Sequence, residues 1–181
     1  SVETVKELRN MHNSYMVLGY KTAVRMEKDA YVLDVIKSIL GRGQSGRLFE
    51  EIRNKRGLAY EVGAYHDCGK DYGFFAVYLN THKKHIPTAI KVILGEFKKL
   101  EHVAEGDLSD AKGNLIGQHI LENEDTQALA DEFSYWGVVG DASLSSKYLE
   151  NIGAVGSGDV GRVAKKFLTK NYALAVIEQK K

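Results

Sequence analysis

GRGQSGRLFEEIRNKRGLAY, running from Gly41 to Tyr60, decides how this chain folds. A glycine-rich turn opens a charged helix over residues 46–56, which stops at Gly57 and passes directly into a strand. Gly41, Gly43 and Gly46 spell G-x-G-x-x-G, but a dinucleotide fingerprint needs a strand immediately before its first glycine. Here the preceding segment places Val32, Val35, Ile36, Ile39 and Leu40 at helical spacing, so the glycines join two helices. Ser45 stands where its hydroxyl would cap the second helix, whose apolar stripe is Leu48, Phe49 and Ile52. Glu51 and Lys55 fall four apart on the wet side, and Gly57 supplies the left-handed exit. This arrangement predicts a buried Phe49 ring.

Working outward, Tyr15 to Tyr20 reads as a short strand and Asp29 to Leu40 as a helix. Beyond Gly57, Leu58, Tyr60, Val62 and Ala64 alternate. After a turn containing His66, Asp67, Cys68 and Gly69, Phe75, Val77 and Leu79 alternate with Phe74, Ala76 and Tyr78, which predicts a hairpin. Pro87, the only proline, marks a helix start, and Ile90, Ile93, Leu94, Phe97 and Leu100 give that helix its buried stripe. The stretch from Leu108 to Gly140 is helical and interrupted by glycines. Helices over 144–151 and 159–168 follow, with Ser157 or Asp159 as a cap, then a strand over 172–177. The order predicts an α+β fold of the split βαβ, ferredoxin-like kind: four mostly antiparallel strands with helices on one face.

A length of 181 residues fits one domain spanning 1–181, and 44% hydrophobic against 27% charged residues is an ordinary globular composition. The formal net charge of +1 supplies no overall field for nucleic acid or an anionic membrane. A lone Cys68 excludes an internal disulfide and a cysteine-rich zinc site, and reads as an exposed residue of the hairpin turn. It fits a reducing compartment, cytoplasmic rather than secreted. Because the chain starts at Ser1, it is expected to be a piece of a longer protein.

Six histidines invite a metal search. His102-Val-Ala-Glu105 and His119-Ile-Leu-Glu122 each give four letters of H-x-x-E-H, but Gly106 and Asn123 occupy the fifth position. His82 and His85 lack an acidic third ligand in their segment, so no zinc site is expected in this chain. Gly43-Gln44-Ser45-Gly46 is no nucleophile elbow, lacking the strand-to-helix context. The hairpin aromatics Tyr60, Tyr65, Tyr72, Phe74, Phe75 and Tyr78 are not interleaved with lysine or arginine. They point to core packing or a peptide-binding face rather than to base stacking.

The central segment resembles SSRLFxxIRxKxGLAY of zinc peptidases of the pitrilysin and mitochondrial-processing-peptidase family, through Gly43, Ser45, Arg47, Leu48, Phe49, Arg56, Gly57, Leu58 and Tyr60. Tyr15–Tyr20, Leu108 with Ala111 and Lys112, Glu122–Ala130 and Asp159–Phe167 are similar to further segments of the same half. The resemblance implies two halves of like fold, in one chain or two, closing around an unfolded peptide. One half carries H-x-x-E-H and zinc, whose bound water attacks the peptide carbonyl. This chain resembles the other, C-terminal half. It therefore implies no cofactor here, zinc in the partner half, a peptide substrate, and neither nucleic acid nor membrane as partner. Some members hold the substrate carbonyl with an arginine and, seven positions later, a tyrosine. The matching positions are Phe75 and His82, which agree in neither residue type; with Tyr60 they are the substrate-facing candidates. The implied function is the non-metal half of a zinc metalloendopeptidase. The alternative is a structural or docking module like the family's core subunits in respiratory complexes.

Overall fold

A computed structural model describes residues 2–180. Its strands are β1 (Glu3–Arg9), β2 (Ser14–Lys21), β3 (Ala59–Cys68), β4 (Gly73–Thr81) and β5 (Ala173–Gln179). They form one sheet in the order β1-β5-β2-β4-β3, with β1 parallel to β5 and the other pairs antiparallel. The helices are α1 (Lys28–Gly41), α2 (Ile86–Lys99), α3 (Glu105–Glu122), α4 (Thr126–Val139), α5 (Tyr148–Ala154) and α6 (Ser157–Phe167).

Alternation along β2 sets the two faces. Met16, Leu18 and Tyr20 join the core with Phe75, Val77 and Leu79 of β4 and Leu174 and Val176 of β5, while Tyr15 and Val17 point out. Each fully buried side chain of this kind contributes about 1.5–3 kcal/mol by leaving water. Val32, Leu33, Val35, Ile36, Ile39 and Leu40 of α1 meet that face, with Ala89, Ile93 and Phe97 of α2 beside them. α1 also packs on α3, α5 and α6, so it is the axis of the helical layer.

Five expectations are corrected. The sheet has a fifth strand, β1, whose seven residues are all exposed. Backbone pairing to β5, with one side-chain contact from Lys6 to Glu178 at 3.4 Å, defines it, so its sequence has no apolar period. Ser45 does not cap the following helix; its hydroxyl donates to the Arg42 carbonyl at 3.1 Å, closing a short 3-10 turn over Gly43–Ser45. The following helix widens into a π-turn over Phe49–Asn54, where the Lys55 N–H reaches the Glu50 carbonyl at 2.9 Å. Leu48 and Ile52 are fully enclosed, whereas Phe49 is half-buried.

The fourth correction is that the long helical stretch breaks at Asn123–Asp125 rather than at its glycines, with the Asp125 carboxylate capping α4 by accepting from the Ala128 N–H at 2.9 Å. Fifth, Cys68 is buried at 1% exposure, because β3 continues through His66 to Cys68 and the turn is confined to the next few residues. Other signals hold. Gly57 has φ of +58° and ends its helix, and Asp159 accepts from the Gly156 N–H at 3.1 Å at the start of α6. The false fingerprint has a packing explanation. A Cβ on Gly41 would lie 2.7 Å from the Ala64 backbone nitrogen, and Gly43 adopts φ of +52°.

Candidate functional site

The motif at 41–60 works as a frame. Arg47 pairs with Asp107 of α3, Arg56 pairs with Glu51, and Leu48 fills the core. Hydrogen bonds from Lys55 and Arg56 pull the Glu51 carboxyl down to about 2. Gly57 then turns the chain, and the Thr81 hydroxyl donates to the Leu58 carbonyl, fixing the start of β3 against the end of β4. A register shift between Ala59 and Glu61 forms a bulge that leaves Tyr60 without a partner on β4. Tyr60 is consequently 76% exposed.

β3 has β4 on one side and, among the described residues, no strand on the other. Such an edge presents unpaired backbone N–H and C=O groups, which an extended chain can join. Beside the bulge lies a pocket of about 350 Å³ lined by Asn13, Arg53, Leu58, Tyr60, Asn80 and His82. Arg53 projects from the π-turn between two rings, 4.7 Å from Phe49 and 4.5 Å from Tyr60. Two of the three substrate-facing candidates thus meet in one pocket: Tyr60 and the exposed His82. Phe75 does not join them. It is fully enclosed, with ring centroids 6.2 Å from Phe97 and 6.4 Å from His66, so it has no surface to offer a substrate. Its side falls to the core because β4 places it on the same face as Val77 and Leu79.

A second polar assembly escaped the sequence reading, which put His66 in a turn. Asp34 of α1 accepts from Arg25 Nη1 at 2.7 Å, from His66 Nδ1 at 2.7 Å and from the Tyr148 hydroxyl at 3.4 Å. Because a carboxylate only accepts, His66 Nδ1 carries the proton. Burial raises the Asp34 pKa, but the His66 hydrogen bond and the Arg25 charge outweigh it and hold the carboxyl below its usual range. Arg25 also lies 5.7 Å from the Tyr31 ring and 5.8 Å from Trp136. Its Nε donates to the Tyr135 hydroxyl at 3.1 Å, and that hydroxyl donates to the Cys68 carbonyl at 2.6 Å. Burial pushes the Cys68 thiol up to about 11, which leaves it a poor nucleophile. The detectable signal was parity: Asp34 interrupts the apolar run of α1, and His66 shares the inward face with Ala64 and Cys68.

Over this network opens a cleft of about 440 Å³, lined in part by Lys37, His119, Glu122, Glu132 and Trp136. His119 and Glu122 face it together, as their spacing on α3 requires. Glu132 is engaged by the Ser145 hydroxyl at 2.6 Å, and His119 Nε2 lies 3.1 Å from the Asn123 amide. Among the described residues no three His, Cys, Asp or Glu side chains are arranged to hold a metal ion. No described helix is long and apolar enough to cross a membrane.

Residues 2–115 match the family described as the peptidase M16 inactive domain. An uncharacterized zinc protease of Streptomyces coelicolor is 33% identical over 175 residues, covering 93% of this chain and 38% of that protein. An uncharacterized zinc protease of Bacillus subtilis is 25% identical over 179 residues, covering 97% and 44% respectively. The chain therefore spans about two-fifths of the length of these curated relatives. The peptidase M16 inactive domain from Pseudomonas fluorescens superimposes with a TM-score of 0.85 at 19% identity, covering 99% of this chain and 43% of that one.

Proposed function

Because the chain belongs to the family of peptidase M16 inactive domains, we propose that in its parent protein it walls a peptide chamber and grips an extended substrate along the free edge of β3. The zinc chemistry is assigned to a partner half bearing H-x-x-E-H, in the same chain or a second one. The observation that carries this reading is the open edge strand with a pocket at its bulged end, where Tyr60 and His82 lie together. Backbone pairing gives affinity for any unfolded segment, and the pocket gives preference among side chains. In this reading the exposed His82 donates a ring N–H to a peptide carbonyl lying along the edge, a contact that the buried Phe75 cannot supplement.

The reading is tested by reconstitution. The 181-residue chain alone is expected to cleave no unstructured peptide, with or without added zinc, and mixing it with the H-x-x-E-H half of its parent is expected to restore cleavage. His82→Ala in the restored enzyme should lower kcat with little change in KM if the imidazole acts on the reacting carbonyl. Hydrolysis by the chain alone, or full activity of the other half without it, would overturn the assignment. Restored cleavage with unaltered His82→Ala kinetics would remove only the role given to that side chain.

A further inference from the structure

Six of the seven arginines in this protein form an ion pair with a carboxylate. Arg9 pairs with Glu7, Arg25 with Asp34, Arg42 with Asp110, Arg47 with Asp107, Arg56 with Glu51, and Arg162 with Asp29 and Asp159. Arg53 is the exception. It is half-buried and, among the described residues, forms no ion pair or hydrogen bond through its side chain; only the Phe49 and Tyr60 rings contact it as cation–π partners. Stacking occupies the faces of a guanidinium and leaves its in-plane N–H donors free, the fork that matches a carboxylate in bidentate fashion. Holding the group between two rings also lowers the entropy lost when it binds.

The pocket Arg53 lines is suited to an anion. Its other polar lining groups are Asn13, Tyr60, Asn80, Thr81 and His82, and no aspartate or glutamate lines it. Glu61, one residue past the bulge, lines an adjoining depression that Arg53, Phe49 and Tyr60 also line, but it forms no ion pair with Arg53 among the described residues. The sequence placed Arg53 within a family motif without assigning it a role. The structure shows why the neighbouring basic residues differ from it: Lys55 and Arg56 are both consumed by Glu51 one turn away. The bulge at Tyr60 both closes one wall over Arg53 and sets the pocket at the end of the open strand edge.

We propose that this pocket is a carboxylate subsite, in which Arg53, clamped by Phe49 and Tyr60, receives one acidic group of a peptide laid along β3. The inference rests on the edge-grip reading above and specifies its substrate class. The carboxylate can come from an internal Asp or Glu side chain or from the C-terminus of the peptide, and the test separates the two.

Calorimetric titration of the 181-residue chain would use an unstructured, amidated peptide carrying one Glu, its Gln counterpart, and the Gln peptide with a free C-terminal carboxylate. A charge-assisted pair should make an acidic version bind about tenfold tighter or more than the neutral one. Preference for the Glu peptide assigns the site to an internal side chain, and preference for the free acid assigns it to the peptide end. Arg53→Gln should erase the preference while retaining neutral-peptide binding, and Arg53→Lys should keep part of it. Equal affinity for acidic and neutral peptides, or a preference that survives Arg53→Gln, overturns the carboxylate subsite and leaves the edge grip standing. Failure of every peptide to bind overturns both. Because the charge comparison is made first on the unsubstituted chain, it does not depend on the variants folding.

Discussion

Asp34 carries more electrostatic consequence than any other single residue described. Its carboxylate joins α1, the loop carrying Arg25, β3 through His66 and α5 through Tyr148. Arg25 is only 7% exposed, so Asp34→Ala would leave a buried cation without its counter-charge. Breaking one side of a buried pair costs about 3–5 kcal/mol, and a urea titration at neutral pH should show that loss. The acid dependence has a definite sign. Asp34 and Asp29 both titrate below the ordinary aspartate range. For Asp29, burial pulls upward but the Lys166 and Arg162 hydrogen bonds prevail. The folded state therefore binds fewer protons than the unfolded chain, whose aspartates titrate near ~3.9. Their contribution is complete above that value and is lost as pH falls through the lower folded values. Asp34→Asn should flatten the acid limb of the stability curve; an unchanged limb would show that the network is not ionised as described.

The helix built from the opening motif separates what could be read from sequence at the level of elements from what could not. Leu48 and Ile52 are fully enclosed, but Phe49 stands half out of the core under Arg53. Leu48→Ala should accordingly cost about 2–5 kcal/mol as a core truncation. Phe49→Ala should cost less than Leu48→Ala. Equal or greater loss at Phe49, by denaturant midpoint, would place that ring in the core after all. Apolar spacing and Gly57 made α1, this helix and the hairpin legible, because burial imposes a period and a left-handed turn demands glycine. The π-widening was not legible: it changes which residue of a charged helix faces inward without altering composition. The break before α4 was hidden too, since the glycines at 106, 113 and 117 lie inside α3 while the Asp125 cap does the breaking. At the pocket, Tyr60 and His82 could be named as substrate-facing from position in the sequence, whereas Arg53 could be placed in the motif but given no role. Its lack of a partner is a property of three-dimensional charge placement.

For the whole molecule, the helices cover one side of the sheet and leave Tyr15, Val17, Tyr65, Phe74 and Tyr78 on the other, each between 38% and 50% exposed. Alternation in β2 and β4 made those two faces legible, and the same alternation put Phe75 on the wrong side to be a substrate contact. Compositional arguments could not reach β1. A strand with every residue exposed leaves no trace in hydrophobic period, because it is held by its backbone and by one polar contact, Lys6 to Glu178, rather than by apolar burial.

That manner of attachment orders how the protein comes apart. Detaching β1 uncovers almost no apolar surface, whereas detaching β2 or β4 opens the core, so amide exchange should be fastest over residues 3–9 and slowest over Met16–Tyr20 and Phe75–Leu79. Uniform protection across the sheet would contradict an attachment without apolar burial. When β1 leaves, the rim of the sheet becomes β5, whose Ala173-Leu174-Ala175-Val176-Ile177 run is apolar and carries no charge to repel another strand. The outermost strand thus acts as a removable cover, and self-association should follow its local opening rather than global unfolding.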